Sequence, residues 1–129
     1  MMRFMSRKSH AVLDYIMGIL LIVAPWLFGF SAFEAARWCS VAVGVLIILM
    51  SLITDYEGGT KKIISMGTHL NMDVLAGIFL AISPWLFGFN ELVYLPHLIF
   101  GILEIGAGLF TVRTSQHSRL SGMDMGHAH

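Results

Sequence analysis

Two copies of one polar stripe hold most of the chemistry available to this chain. His10, Asp14 and Gly18 lead to Pro25, and His69, Asp73 and Gly77 lead to Pro84. At about 100° per residue, His10, Asp14, Gly18, Leu21 and Pro25 fall within roughly 80° of one helical face. Each proline lacks an N–H and displaces the carbonyl four residues back, here Leu21 or Leu80. Each stripe therefore presents an imidazole, a carboxylate, a glycine and a freed carbonyl. If the two stripes face one another, two His and two Asp converge in a cluster suited to a divalent metal or a proton relay. The alternative is a pair of i,i+4 His–Asp salt bridges at the membrane edge, shallow enough to reach water. Glu104 stands apart, because its counterpart in the first copy is Ile47. A charged carboxylate at depth costs about 2.5–3.5 kcal/mol on insertion scales. It is expected to donate a hydrogen bond to a freed carbonyl or to serve as a proton or ligand site.

The elements that position these residues are themselves duplicated. Ala24-Pro25-Trp26-Leu27-Phe28-Gly29-Phe30 returns 59 positions later as Ser83-Pro84-Trp85-Leu86-Phe87-Gly88-Phe89. At the same offset Ser9 meets Thr68, and after a two-residue deletion Gly44 meets Gly101 and Thr54 meets Thr111. Such a repeat defines the unit of architecture. Of the 129 residues, 57% are hydrophobic and 12% charged, about half the charge of a typical soluble domain. Four runs, about 11–30, 36–54, 70–89 and 93–112, have the length a membrane span needs. They are apolar nearly all round, as lipid requires. The expected fold is an all-α membrane protein, a four-transmembrane-helix bundle made of two parallel two-helix repeats. It is a single membrane domain over 1–129: repeat 1 at 9–56, a cytoplasmic linker at 57–67, repeat 2 at 68–113 and a mobile tail at 114–129.

The first run resembles a signal peptide, but its length and its near-copy within the chain favour a retained helix. Arg3, Arg7, Lys8, Lys61, Lys62, Arg113 and Arg119 fall on one side of the alternating helices and only Arg37 on the other. That split places both termini and the 55–69 loop in the cytoplasm. The copies then enter the membrane in the same direction, related by an axis along the membrane normal. Trp26, Trp38, Trp85 and Tyr94 fall in the outer half as interfacial anchors. Ser9 and Thr68 are the expected N-caps, and Gly29 and Gly88 loosen the chain before short outer turns. The prolines are expected to kink their helices and turn the Leu21 and Leu80 carbonyls inward.

Other signals are weaker. Ala36, Ser40 and Gly44 form a small-residue face, and Gly101, Gly106 and Gly108 crowd the last helix, both suited to close helix contact. The tail residues Met123, Met125, His127 and His129 have donor types that suit copper. His97 reads as a surface residue. Cys39 is the single cysteine, so no internal disulfide forms. Zero net charge leaves no footprint for nucleic acid. No phosphate loop, nucleophile–base pair or Cys/His zinc spacing is present. Haem or quinone binding through His10 and His69 is a third reading, weakened by their expected place near the membrane edge.

With a His-xxx-Asp-xxx-Gly segment before each Pro-Trp, the chain resembles the SPW-repeat membrane proteins over about residues 9–112. It departs in the first copy, where Ala24 stands in place of the motif serine. The resemblance implies the architecture and a bacterial cytoplasmic membrane, multi-pass, and brings no activity, substrate or catalytic residue. The expected function is a non-enzymatic membrane packing or interaction module, or a subunit of a larger assembly. Its partners are the lipid bilayer and a second copy or another membrane protein, with no cofactor. The alternative is a small ion, proton or metal transport or binding protein using His10, Asp14, His69, Asp73 and Glu104.

Overall fold

The structure is a computed structural model describing residues 6–54 and 64–111. Four helices follow one another: α1 (Arg7–Leu27), α2 (Glu34–Ile53), α3 (Met66–Leu86) and α4 (Leu95–Phe110). No strand pairs with another among the described residues beyond an isolated parallel bridge from Thr54 to Ile64. The first three helices are long and apolar enough to cross a membrane. At 16 residues, α4 is about 24 Å long. Most of the expected linker, with Lys61 and Lys62, lies outside the described residues. So do Arg3, Arg113, Arg119 and the tail residues Met123, Met125, His127 and His129.

Both long polar-stripe helices begin earlier than expected, and for the same reason. Ser6 Oγ accepts from the Ser9 amide at 3.1 Å, and Ser65 Oγ accepts from the Thr68 amide at 3.1 Å. Ser6 and Ser65 are thus the N-caps, and Ser9 and Thr68 occupy the third helical position. Each hydroxyl pair also bonds to itself, Ser6 Oγ donating to Ser9 Oγ and Ser65 Oγ to Thr68 Oγ1. The three-residue shift puts Asp14 and Asp73 about 4.5 Å further from their helix starts than caps at Ser9 and Thr68 would.

The opposite ends also stop early. Pro25 and Pro84 stand in the last turn of α1 and α3, so each helix ends two residues on and does not continue through a kink. Gly29 and Gly88 follow at φ +77° and +74°, a left-handed turn that glycine adopts without strain. The Phe30 amide returns to the Pro25 carbonyl at 2.7 Å, closing a Schellman motif. These glycines therefore fix the turn and do not loosen it, and Phe30 and Phe89 tuck into the core at 1% and 4% exposure.

The carbonyls freed by the prolines are both satisfied, by different donors. Ser83 Oγ donates to the Leu80 carbonyl at 2.7 Å within α3. In α1 the motif serine is Ala24, and Ser40 Oγ of α2 donates to the Leu21 carbonyl at 2.6 Å. The departure at Ala24 is thus compensated from the neighbouring helix. Ser40→Ala should destabilise the protein by about 1–3 kcal/mol, the cost of an orphaned buried acceptor. Adding Ala24→Ser should restore most of that loss, because residue 24 stands to Leu21 as Ser83 stands to Leu80. Thermal unfolding of the purified single and double variants in detergent checks this.

The helices pair as two antiparallel hairpins, α1 with α2 and α3 with α4, with much less contact between hairpins. Within each hairpin glycines meet backbone to backbone. A Cβ built on Gly44 would lie 2.7 Å from the Gly18 carbonyl oxygen, and one on Gly77 the same distance from that of Gly101. Gly108 is also tight, but Gly106 has nothing within 4 Å and is no contact glycine. Apolar clusters close the interior: Met17, Leu21, Val43, Ile47 and Leu80 at mid-height, and Ala24, Phe30, Ala36, Cys39 and Phe89 toward the proline end. Outward faces are apolar too, with Ile16, Val23, Leu49, Leu75 and Ile99 exposed, as a lipid-facing surface requires. Trp26, Trp38, Trp85 and Tyr94 are exposed, all toward the proline end. Arg37 lies 5.3 Å over the Trp38 ring.

Candidate functional site: a buried histidine–aspartate quartet

Facing stripes bring His10, Asp14, His69 and Asp73 together in the interior. Three of the four are 0% exposed and Asp73 is 2% exposed. The interfacial salt-bridge reading is therefore corrected: none of them reaches the surface of the bundle. Nor do the shortest contacts run along a helix. His10 Nε2 lies 2.7 Å from Asp73 Oδ2 and His69 Nε2 lies 2.7 Å from Asp14 Oδ2. The i,i+4 contacts, His10 to Asp14 and His69 to Asp73, are each 3.1 Å. Nitrogen and oxygen alternate around a ring of four residues, with the two imidazoles edge to face at 5.5 Å. The strongest polar contacts thus tie one hairpin to the other.

Three residues the sequence reading did not place in the site complete it. His10 Nδ1 lies 2.8 Å from Thr111 Oγ1, and His69 Nδ1 lies 2.6 Å from Thr54 Oγ1. Each threonine ends the helix opposite and donates its own proton back along that helix, Thr54 to the Met50 carbonyl and Thr111 to that of Ala107. A hydroxyl has one proton, so each threonine oxygen accepts and each Nδ1 donates. Each Nε2 is then left to face the carboxylates. Ser51 Oγ donates to Asp14 Oδ2 at 3.1 Å; its counterpart in the second hairpin is Gly108, so Asp14 and Asp73 differ there. The duplicated Thr54 and Thr111 were the sequence signal for this layer.

Glu104 is fully buried, and neither carboxyl oxygen has a hydrogen-bond partner. The expected bond to a freed carbonyl is not made; Ser40 serves Leu21 and Ser83 serves Leu80 instead. Its electrostatic interactions reach all four members of the quartet. An unpaired buried carboxyl costs stability, so Glu104→Leu should raise it by about 1–3 kcal/mol. Denaturant titration of the purified variant checks the sign.

His97 is not a surface residue. It is 1% exposed, set between the rings of Phe30 and Phe89 at 5.0 and 4.9 Å. Its Nε2 donates to the Ala36 carbonyl at 2.9 Å, joining α4 to α2, while Nδ1 has no partner. It belongs to the far end of the bundle from the quartet and shares no contact with it.

The four quartet residues each offer a metal-ligating atom, and these atoms all lie within 4.8 Å of one another. No curated protein and no solved structure matches the chain. The model of the SPW repeat domain matches residues 4–111, spanning both stripes, both Pro-Trp segments and the threonines beneath them: the chain belongs to the SPW repeat family.

Proposed function

We propose that this protein is a non-enzymatic membrane module of the bacterial cytoplasmic membrane, built from two parallel hairpin repeats clasped by the His–Asp quartet. One observation carries the reading: the quartet is buried, mutually paired and shared between hairpins. A transporter needs such groups to line a hydrated path, whereas a packing module needs them sealed and matched. In this reading both termini and the 55–69 loop are cytoplasmic, and a pseudo-twofold axis runs along the membrane normal through the quartet. The exposed apolar faces meet lipid, a second copy or another membrane protein. An ion- or proton-binding reading is favoured by one residue, Glu104, with its unpaired carboxyl beside the clasp.

Proteoliposomes containing a pH-sensitive dye separate the two. The module reading expects proton flux equal to that of protein-free vesicles. Flux that disappears in both Asp14→Asn and Glu104→Gln would replace it with the transport reading. For orientation, a reporter fused after Arg119 is expected inside the cell.

A further inference from the structure

We propose that His10, Asp14, His69 and Asp73 form a four-ligand site for one divalent transition-metal cation of the zinc class. This goes beyond the clasp, since the same residues would bind a ligand as well as one another.

Geometry is the first support. Two imidazole nitrogens and two carboxylate oxygens are a ligand set that suits zinc and its neighbours better than magnesium or calcium. All four atoms lie within 4.8 Å of one another. Zinc bonds of about 2.0–2.2 Å imply ligand–ligand edges of roughly 3.3–3.5 Å in a tetrahedron. Asp73 Oδ2 lies 2.7 Å from His10 Nε2 and 3.1 Å from His69 Nε2, whereas Asp14 meets His69 through Oδ2 at 2.7 Å and His10 through Oδ1 at 3.1 Å; these are hydrogen-bonding separations, which a bound cation must part to the longer edges.

The second support is the shell around the ring. Metal-bound histidines almost always donate the other ring N–H to an acceptor, which fixes the tautomer and the ring orientation. Thr111 and Thr54 do this for His10 and His69, leaving each Nε2 aimed inward. Asp14 Oδ1 is buried and makes no hydrogen bond, its nearest nitrogen being His10 Nε2 at 3.1 Å.

The test uses the full chain, purified in detergent and titrated with Co²⁺ as a spectroscopic probe. One Co²⁺ per chain is expected, with the visible absorption bands of a tetrahedral centre, displaced by Zn²⁺. Because the tail also holds metal-ligating types, the H127A/H129A variant is titrated alongside and should keep the bands. Asp73→Asn should lose them. Should that variant fail to fold, Thr111→Val keeps all four ligands but removes the acceptor from His10 Nδ1, and should weaken binding by about 10–100-fold. No tetrahedral bands in the wild-type chain would overturn the proposal, as would bands that vanish in H127A/H129A.

Discussion

Asp73→Asn should cost the bundle roughly 3–5 kcal/mol, the penalty for removing one partner of a buried ion pair. His10 Nε2 and His69 Nε2 both border Asp73 Oδ2, at 2.7 and 3.1 Å. A neutral amide there removes the carboxylate that both buried imidazoles face. The cost falls on the association of the hairpins, because elsewhere their mutual contact is slight. Double-mutant cycles make the expectation sharper. His10 with Asp73, across hairpins, should couple by about 1–3 kcal/mol, and more strongly than His10 with Asp14 on the same helix. The distances give that order, 2.7 Å against 3.1 Å. Unfolding of the single and double variants in detergent measures it, and a stronger coupling along the helix would refute the clasp.

The convergence of the two stripes was legible in the sequence, because a duplicated His-xxx-Asp spacing on helices that enter side by side leaves one face to share. Their depth was not. Ser6 and Ser9 are both good caps, as are Ser65 and Thr68, and only the structure shows that the first of each pair accepts the amide. Taking the second put the aspartates at the membrane edge and made the i,i+4 bridge look sufficient. The role of Ser40 was hidden for a different reason. Its acceptor, the Leu21 carbonyl, lies on another helix, and helical periodicity says nothing about which neighbour faces a given side chain. His97 was misread in the same way. Its counterpart is Ser40, and both turn out to donate to a backbone carbonyl across a helix contact. Thr54 and Thr111 were visible as a repeat match, but their chemistry appeared only once the helix ends met the imidazoles.

Gly101→Ala should be nearly as damaging as loss of the clasp, at the upper end of the roughly 1–3 kcal/mol typical of overpacking. A Cβ there would lie 2.6 Å from both the Ala81 nitrogen and the Gly77 oxygen, and 2.7 Å from the Ala81 Cβ. None of these atoms can rotate away, so α3 and α4 must separate, loosening the most extensively packed helix pair in the molecule. Gly106→Ala is the internal control: it sits on the same helix with nothing within 4 Å. There alanine should be neutral or gain up to about 1 kcal/mol from its higher helix propensity. Gly77→Ala should resemble Gly101→Ala, since the two glycines meet at one point, and the double variant should cost less than the sum. Denaturant midpoints for the four variants decide the matter. If Gly101→Ala and Gly106→Ala shift stability alike, helix contact is not what requires glycine at position 101, and the close crossing of α3 and α4 does not hold the second hairpin together.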